Sequence, residues 1–117
     1  MTAGAMVCLK GGTPEQIIHA AAIALKNLLG LVCDPVAGLV EVPCIKRGVI
    51  GAVGAMAAAD MALAGITSRI PPDQVVDAMR EIGDKMDVSL RETALGGLAA
   101  TPAGEEAKTR FDMMQSE

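Results

Sequence analysis

An all-α fold is predicted for this 117-residue chain by three observations. Apolar residues recur at helical spacing between punctuating Gly and Pro pairs. No segment alternates apolar and polar residues between turn signals, as a half-buried strand would. The composition is 51% hydrophobic, yet Phe111 is the single aromatic residue and there are thirteen glycines. Such a chain packs helices closely along Ala/Gly seams rather than filling layers with rings. The expected architecture is a compact helical bundle around a buried Ala/Gly-rich central helix, with a Pro/Gly-shaped cysteine loop. One domain, residues 1–117, is expected at this length.

Residues 3–10 read as the end of a helix stopped by Gly11-Gly12, so the chain reads as a piece of something longer. Thr13-Pro14-Glu15-Gln16 is a helix start, with Thr13 as cap, Pro14 at the first helical position and Gln16 completing a capping box. That helix should run to about Leu28 and end before Gly30, its stripe formed by Ile17, Ala20, Ala21, Ala24, Leu25 and Leu28. His19 lies off the stripe and reads as a surface residue rather than a base. Residues 31–47 read as a shaped, non-helical loop, because Pro35 and Pro43 fix φ and Gly38 allows a bend.

Residues 48–66 are apolar apart from Asp60. Their length alone would flag a membrane span. Gly and Ala contribute little transfer energy, however, and Asp60 would cost about 2.5–3.5 kcal/mol near the membrane centre. The segment is therefore predicted as the buried central helix, with Asp60 a buried carboxylate that finds a hydrogen-bond partner. Pro71-Pro72-Asp73 opens an amphipathic helix with Val75, Val76, Met79 and Ile82 on its apolar face. Residues 88–100 follow a helical pattern interrupted by Gly96-Gly97. Each of these glycines costs about 1 kcal/mol relative to Ala in a helix, so the pair implies a break or a close backbone approach. Residues 103–114 form a last helix, followed by a fraying tail at Gln115-Ser116-Glu117.

Ten Lys+Arg stand against fourteen Asp+Glu, a net charge of −4. With no basic patch and no aromatic stacking platform, nucleic-acid binding is not expected. No signal peptide and no membrane segment are read, and three cysteines without a secretory pattern point to reduced thiols in the cytoplasm. The mean hydropathy of +0.41 is high for so short a chain, and suggests apolar surface meant for a partner chain or a further part of the same protein.

One histidine cannot build a Ser-His-Asp arrangement, and Gly48, Gly51 and Gly54 lie in a helical run rather than a phosphate loop. No residue reads as a catalytic base. Cys33 and Cys44 are spaced Cys-x10-Cys, unlike a zinc-finger or ferredoxin pattern. Two readings stay open from spacing alone: thiolate ligands of a metal or iron–sulfur cluster, or buried structural thiols. Cys8 reads as a small core residue. Asp34, Glu41, Lys46 and Arg47 flank the thiols as supporting or solvated groups, with Arg47 able to pair a substrate carboxylate.

The run Leu29-Gly30-Leu31-Val32-Cys33-Asp34-Pro35-Val36-Ala37-Gly38-Leu39-Val40-Glu41-Val42-Pro43-Cys44-Ile45-Lys46-Arg47 resembles the cysteine loop of iron–sulfur-dependent L-serine dehydratases, in the alpha chain of the two-subunit form. The likeness extends to Gly11-Gly12-Thr13-Pro14-Glu15-Gln16, to Gly51-Ala52, to residues 57–64 and to Leu90-Arg91-Glu92-Thr93-Ala94-Leu95-Gly96-Gly97-Leu98-Ala99. Gly48 departs from the family, which usually has Asn there. The resemblance implies a helical alpha chain, of which this is the C-terminal part, holding a [4Fe–4S] cluster through three cysteines. Cys33 and Cys44 match the second and third of these, and the remaining one is expected in a Gly-Cys-Gln segment upstream. It implies that an open iron acts as Lewis acid on L-serine, giving pyruvate and ammonia without pyridoxal phosphate. The implied partners are the beta chain, the upstream alpha segment and a further oligomer, and these residues alone would be inactive. Two alternatives are a related iron–sulfur L-cysteine desulfidase and a non-catalytic helical subunit with structural cysteines.

Overall fold

Five α-helices form in the computed structural model, which describes residues 1–116: α1 (Thr2–Leu9), α2 (Pro14–Lys26), α3 (Cys44–Leu63), α4 (Pro72–Lys85) and α5 (Pro102–Gln115). Short 3-10 turns occupy Val36–Gly38, Val88–Leu90 and Gly97–Ala100, and the described residues contain no strand. The all-α expectation holds. No helix among the described residues is long and apolar enough to cross a membrane. Glu117, expected in a fraying tail, lies outside the described residues.

The chain sorts into two compact units. Residues 1–30 and 49–85 make the first, which contains α1, α2, α4 and all of α3 after its first turn. The predicted capping box is present: the Thr13 hydroxyl accepts from the Gln16 N–H at 3.3 Å, and Gln16 Oε1 accepts from the Thr13 N–H at 2.9 Å. Gln16 Nε2 also donates to the Ala62 carbonyl at 3.1 Å, tying the start of α2 to the end of α3.

Ala3 and Val7 of α1, Ala20 and Ile23 of α2, and Ala55, Ala58, Ala59 and Ala62 of α3 form the core of this unit. Eight of the eleven buried apolar residues described in the chain are alanines, so the expected alanine seam is what brings the helices together. Gly4 serves it too, since a Cβ there would sit 3.1 Å from Ile17 Cγ2.

Two details of α3 correct the sequence reading. Its buried residues, Ala55, Ala58, Ala59 and Ala62, all lie on one face of the C-terminal half, while Val49, Ile50, Val53 and Met56 are exposed. Asp60 is not a buried carboxylate: its side chain is 64% exposed and pairs with Lys10 Nζ at 2.6 Å. A carboxylate at the edge of the seam reaches water, which removes the cost that burial would impose.

The second unit comprises residues 31–48 and the chain from Met86 onward. Residues 88–100 are not the helix that periodicity suggests. Glu92 (φ 66°) and Ala94 (φ 56°), between the two 3-10 turns, and Gly97 (φ 62°), at the start of the second, adopt left-handed backbone. Asp87 caps the first turn by accepting from the Ser89 N–H at 2.8 Å. Thr101 caps α5 by accepting from the Gly104 N–H at 3.2 Å, with Pro102 in the first turn.

Candidate metal centre

Cys33 is held at both of its main-chain groups. Its N–H donates to the Leu90 carbonyl at 2.9 Å, and its carbonyl accepts from the Glu92 N–H at 2.7 Å, which makes an isolated parallel bridge to Arg91. This explains why residues 88–94 escape the helix: a carbonyl and an amide that would serve intrahelical bonds are engaged by Cys33 instead. The left-handed Glu92 turns the chain so that both can face it.

The residue after Cys33 is the buried polar centre of this unit. Asp34 is 2% exposed. Its Oδ1 accepts from Arg47 Nη1 at 2.5 Å and its Oδ2 accepts from the Leu98 N–H at 2.7 Å. Burial is the largest influence on its carboxyl and works against the charge. The Leu98 amide and the Arg47 guanidinium together outweigh it and hold the group below its ordinary range. Gly97 is required at this contact, since a Cβ there would lie 2.7 Å from Asp34 Cβ and its φ is positive. Gly96 is equally tight against Ser89, with 2.8 Å from a Cβ to Oγ. The glycine pair thus marks both a break and a close approach.

From Asp34 the chain loops out and returns. The Val36 N–H donates to the Val42 carbonyl at 3.0 Å across the loop, Ala37 (φ 55°) and Gly38 (φ 74°) turn it, and the Val42–Pro43 peptide is cis. Cys44 is the first residue of α3, so the predicted non-helical stretch ends at Pro43 rather than Arg47. A proline with fixed φ is compatible with a helix that begins just after it. Arg47 lies one turn along from Cys44 and also donates from Nη1 to the Val32 carbonyl at 2.9 Å.

Cys33 and Cys44 are free and half-buried, whereas Cys8 is exposed and not the core residue its apolar neighbours suggest. Burial pushes the Cys33 thiol up. The charges of Glu92, Cys44 and Asp34 push the same way, and Arg47 opposes them. Soft sulfur donors suit an iron–sulfur group, so the Cys33 and Cys44 pair fits one as a partial ligand set. Among the described residues no group of three His, Cys, Asp or Glu is placed to hold a metal ion.

Residues 1–99 match the family model described as "Serine dehydratase alpha chain". The chain belongs to the serine dehydratase alpha-chain family. It is 66% identical over 95% of its length to a probable L-serine dehydratase alpha chain of Bacillus subtilis (strain 168), covering 37% of that protein. It is 62% identical, again over 95% of its length, to a probable L-serine dehydratase alpha chain of Latilactobacillus sakei, covering 53%. A third relative, an L-serine dehydratase alpha chain of Peptoniphilus asaccharolyticus, is 51% identical over 95% of the chain, which spans 38% of it. The chain thus spans between about a third and a half of the length of these three relatives.

Within this serine dehydratase alpha-chain segment, the flanking charges divide. Asp34 and Arg47 pair with each other, and Arg47 Nη1 serves both Asp34 Oδ1 and the Val32 carbonyl. Lys46 and Glu41 are exposed. Glu41 borders an apolar cleft of about 370 Å³ lined by Val36, Leu39, Val42, Ala107 and Phe111. Residue-by-residue reading missed the main-chain groups of Leu90, Glu92 and Leu98. The signal that pointed to them was Gly96-Gly97, two glycines that no helix needs.

Proposed function

We propose that this chain is the part of an L-serine dehydratase alpha chain that supplies Cys33 and Cys44 as thiolate ligands of a [4Fe–4S] cluster, in an enzyme that converts L-serine to pyruvate and ammonia. The observation that carries the reading is the pair of free, half-buried thiols at the two ends of one braced loop, inside the segment matched by the family. Bound there, the cluster would supply an open iron as Lewis acid to the substrate hydroxyl, with no need of pyridoxal phosphate. This chain's own residues hold the thiols: the Leu90–Glu92 backbone fixes Cys33, and α3 carries Cys44. The third cysteine ligand comes from outside these residues, the assembled cytoplasmic enzyme includes a beta chain, and the 117 residues by themselves are inactive.

The test is alkylation footprinting of the anaerobically assembled enzyme, read by mass spectrometry beside pyruvate formation from L-serine. Cys8, exposed in this chain, serves as the reference thiol, its labelling expected to be the same with and without the cluster. Cys33 and Cys44 should label only after the cluster is stripped, and activity should be lost with it. Labelling of Cys33 and Cys44 in the active, iron-loaded enzyme would sink the proposal. Release of pyruvate from L-cysteine in preference to L-serine would replace the substrate and keep the site.

A further inference from the structure

Arg47 bridges the two arms of the cysteine loop. Its Nη1 donates to the Val32 carbonyl at 2.9 Å and to Asp34 Oδ1 at 2.5 Å. These two acceptors belong to the residues on either side of Cys33. Arg47 itself stands on the first turn of α3, three residues after Cys44. One guanidinium nitrogen therefore joins the strand of chain that carries one thiol to the helix turn that carries the other. We propose that Arg47 is a positioning residue that sets the separation of the Cys33 and Cys44 sulfurs, by clamping the Val32 carbonyl and the Asp34 carboxylate, on either side of Cys33, to the helix turn bearing Cys44. The inference rests on the reading of the two cysteines as cluster ligands.

The arrangement around the clamp is built for rigidity. Asp34, the far end of the bridge, is buried, and its second oxygen is tied to the Leu98 N–H. Cys33 cannot swing away, because its own N–H and carbonyl are held by Leu90 and Glu92. The only intervening chain is the turn from Pro35 to Pro43, which the Val36–Val42 bond closes. Were this loop free, bringing its two sulfurs together at a cluster would cost loop-closure entropy at the moment of binding. The clamp moves that cost into folding, which is how groups beyond the ligands raise metal affinity. The competing role, holding a substrate carboxylate, asks for a free bidentate fork. Here one Nη is shared between two protein acceptors, and the side chain is only 28% exposed.

The experiment compares Arg47→Gln, Arg47→Lys, Asp34→Asn, Cys33→Ser and Cys44→Ser in the assembled, anaerobically reconstituted enzyme. Iron content, the visible absorption and electron paramagnetic resonance of the cluster, and its bleaching rate in air are read beside far-ultraviolet circular dichroism. Arg47→Gln should keep its helices yet bind the cluster about 10–100-fold more weakly, the range seen when groups supporting metal ligands are removed, with a changed resonance spectrum. Arg47→Lys should recover part of both, since an ammonium can serve one of the two acceptors. Asp34→Asn, which removes the charge and keeps the shape, should fall between, and it decides the matter if Arg47→Gln does not fold. Arg47→Gln or Asp34→Asn with unchanged iron content, spectrum and bleaching would overturn the clamp while leaving the cluster reading intact. Full iron content in Cys33→Ser and Cys44→Ser would instead overturn the cluster reading, and the clamp with it.

Discussion

Asp34 keeps a charge with almost no water around it, and it does so because each of its oxygens has one strong donor. Removing either side of such a pair leaves the other buried and unmatched. Asp34→Ala should therefore destabilise the second unit by about 2–4 kcal/mol, somewhat less than a fully buried pair because Arg47 retains some solvent. Gly97→Ala should cost about 2–3 kcal/mol, combining left-handed backbone with overlap against Asp34. Urea denaturation followed by circular dichroism checks both, and a change under 0.5 kcal/mol in either would show that the contact is slack. The glycine pair was visible in the sequence as an anomaly. Its target was not, because the Leu98 amide meets a carboxylate 64 residues earlier, and no local pattern reports so distant a partner.

At the scale of elements, α2 is the helix that local chemistry determines most fully. Its cap and its Pro14 are where the sequence puts them, but its buried face is Ala20, Ala22 and Ile23 rather than the expected stripe, and Leu28 is exposed beyond the helix end at Lys26. Thr13→Ala should lower stability by about 1 kcal/mol through loss of the cap. α3 behaves differently along its length. Ala59 is fully buried against α1 and α2, so Ala59→Leu should cost about 1–3 kcal/mol by overpacking the seam, whereas the exposed Val53→Thr should stay within about 0.5 kcal/mol. Thermal melts of the two variants side by side test this contrast. The turn at Val88–Leu90 depends on pH. Hydrogen bonds from the Ser89 hydroxyl and then the Ser89 amide hold the Asp87 carboxyl below its ordinary range. Its cap is therefore fully present above the unfolded carboxylate pKa and is lost as pH falls through the folded value. Hydrogen-exchange protection of the Glu92 amide, corrected for intrinsic rate, should drop across that acid range in the wild type, and Asp87→Asn should flatten the dependence.

At the scale of the whole molecule, the composition had signalled more apolar residues than a core of this size takes in. The structure locates part of the excess on α3, where Val49, Ile50, Val53 and Met56 are exposed. Helical periodicity could not show this, since a run that is apolar all round offers no polar face to mark the outside. Val49→Lys combined with Val53→Lys should leave the melting temperature within about 2 °C, because neither side chain contributes to the core. The pair should also raise the concentration at which the chain stays in solution, measured by light scattering. A large drop in melting temperature would mean that this face is packed.

By itself the sequence determined the helical class, the start of α2, the alanine seam, the family and the two thiols worth attention. All of these are written in neighbouring residues, or in a motif that can be read in one pass. Tertiary structure alone decided that residues 88–94 give up a helix to hold Cys33, that Asp34 is buried and Asp60 is not, and that Arg47 faces the cysteine loop. Each of those outcomes depends on a donor meeting an acceptor from a distant part of the chain. Such a meeting is settled by how the backbone closes in space, which residue order does not spell out.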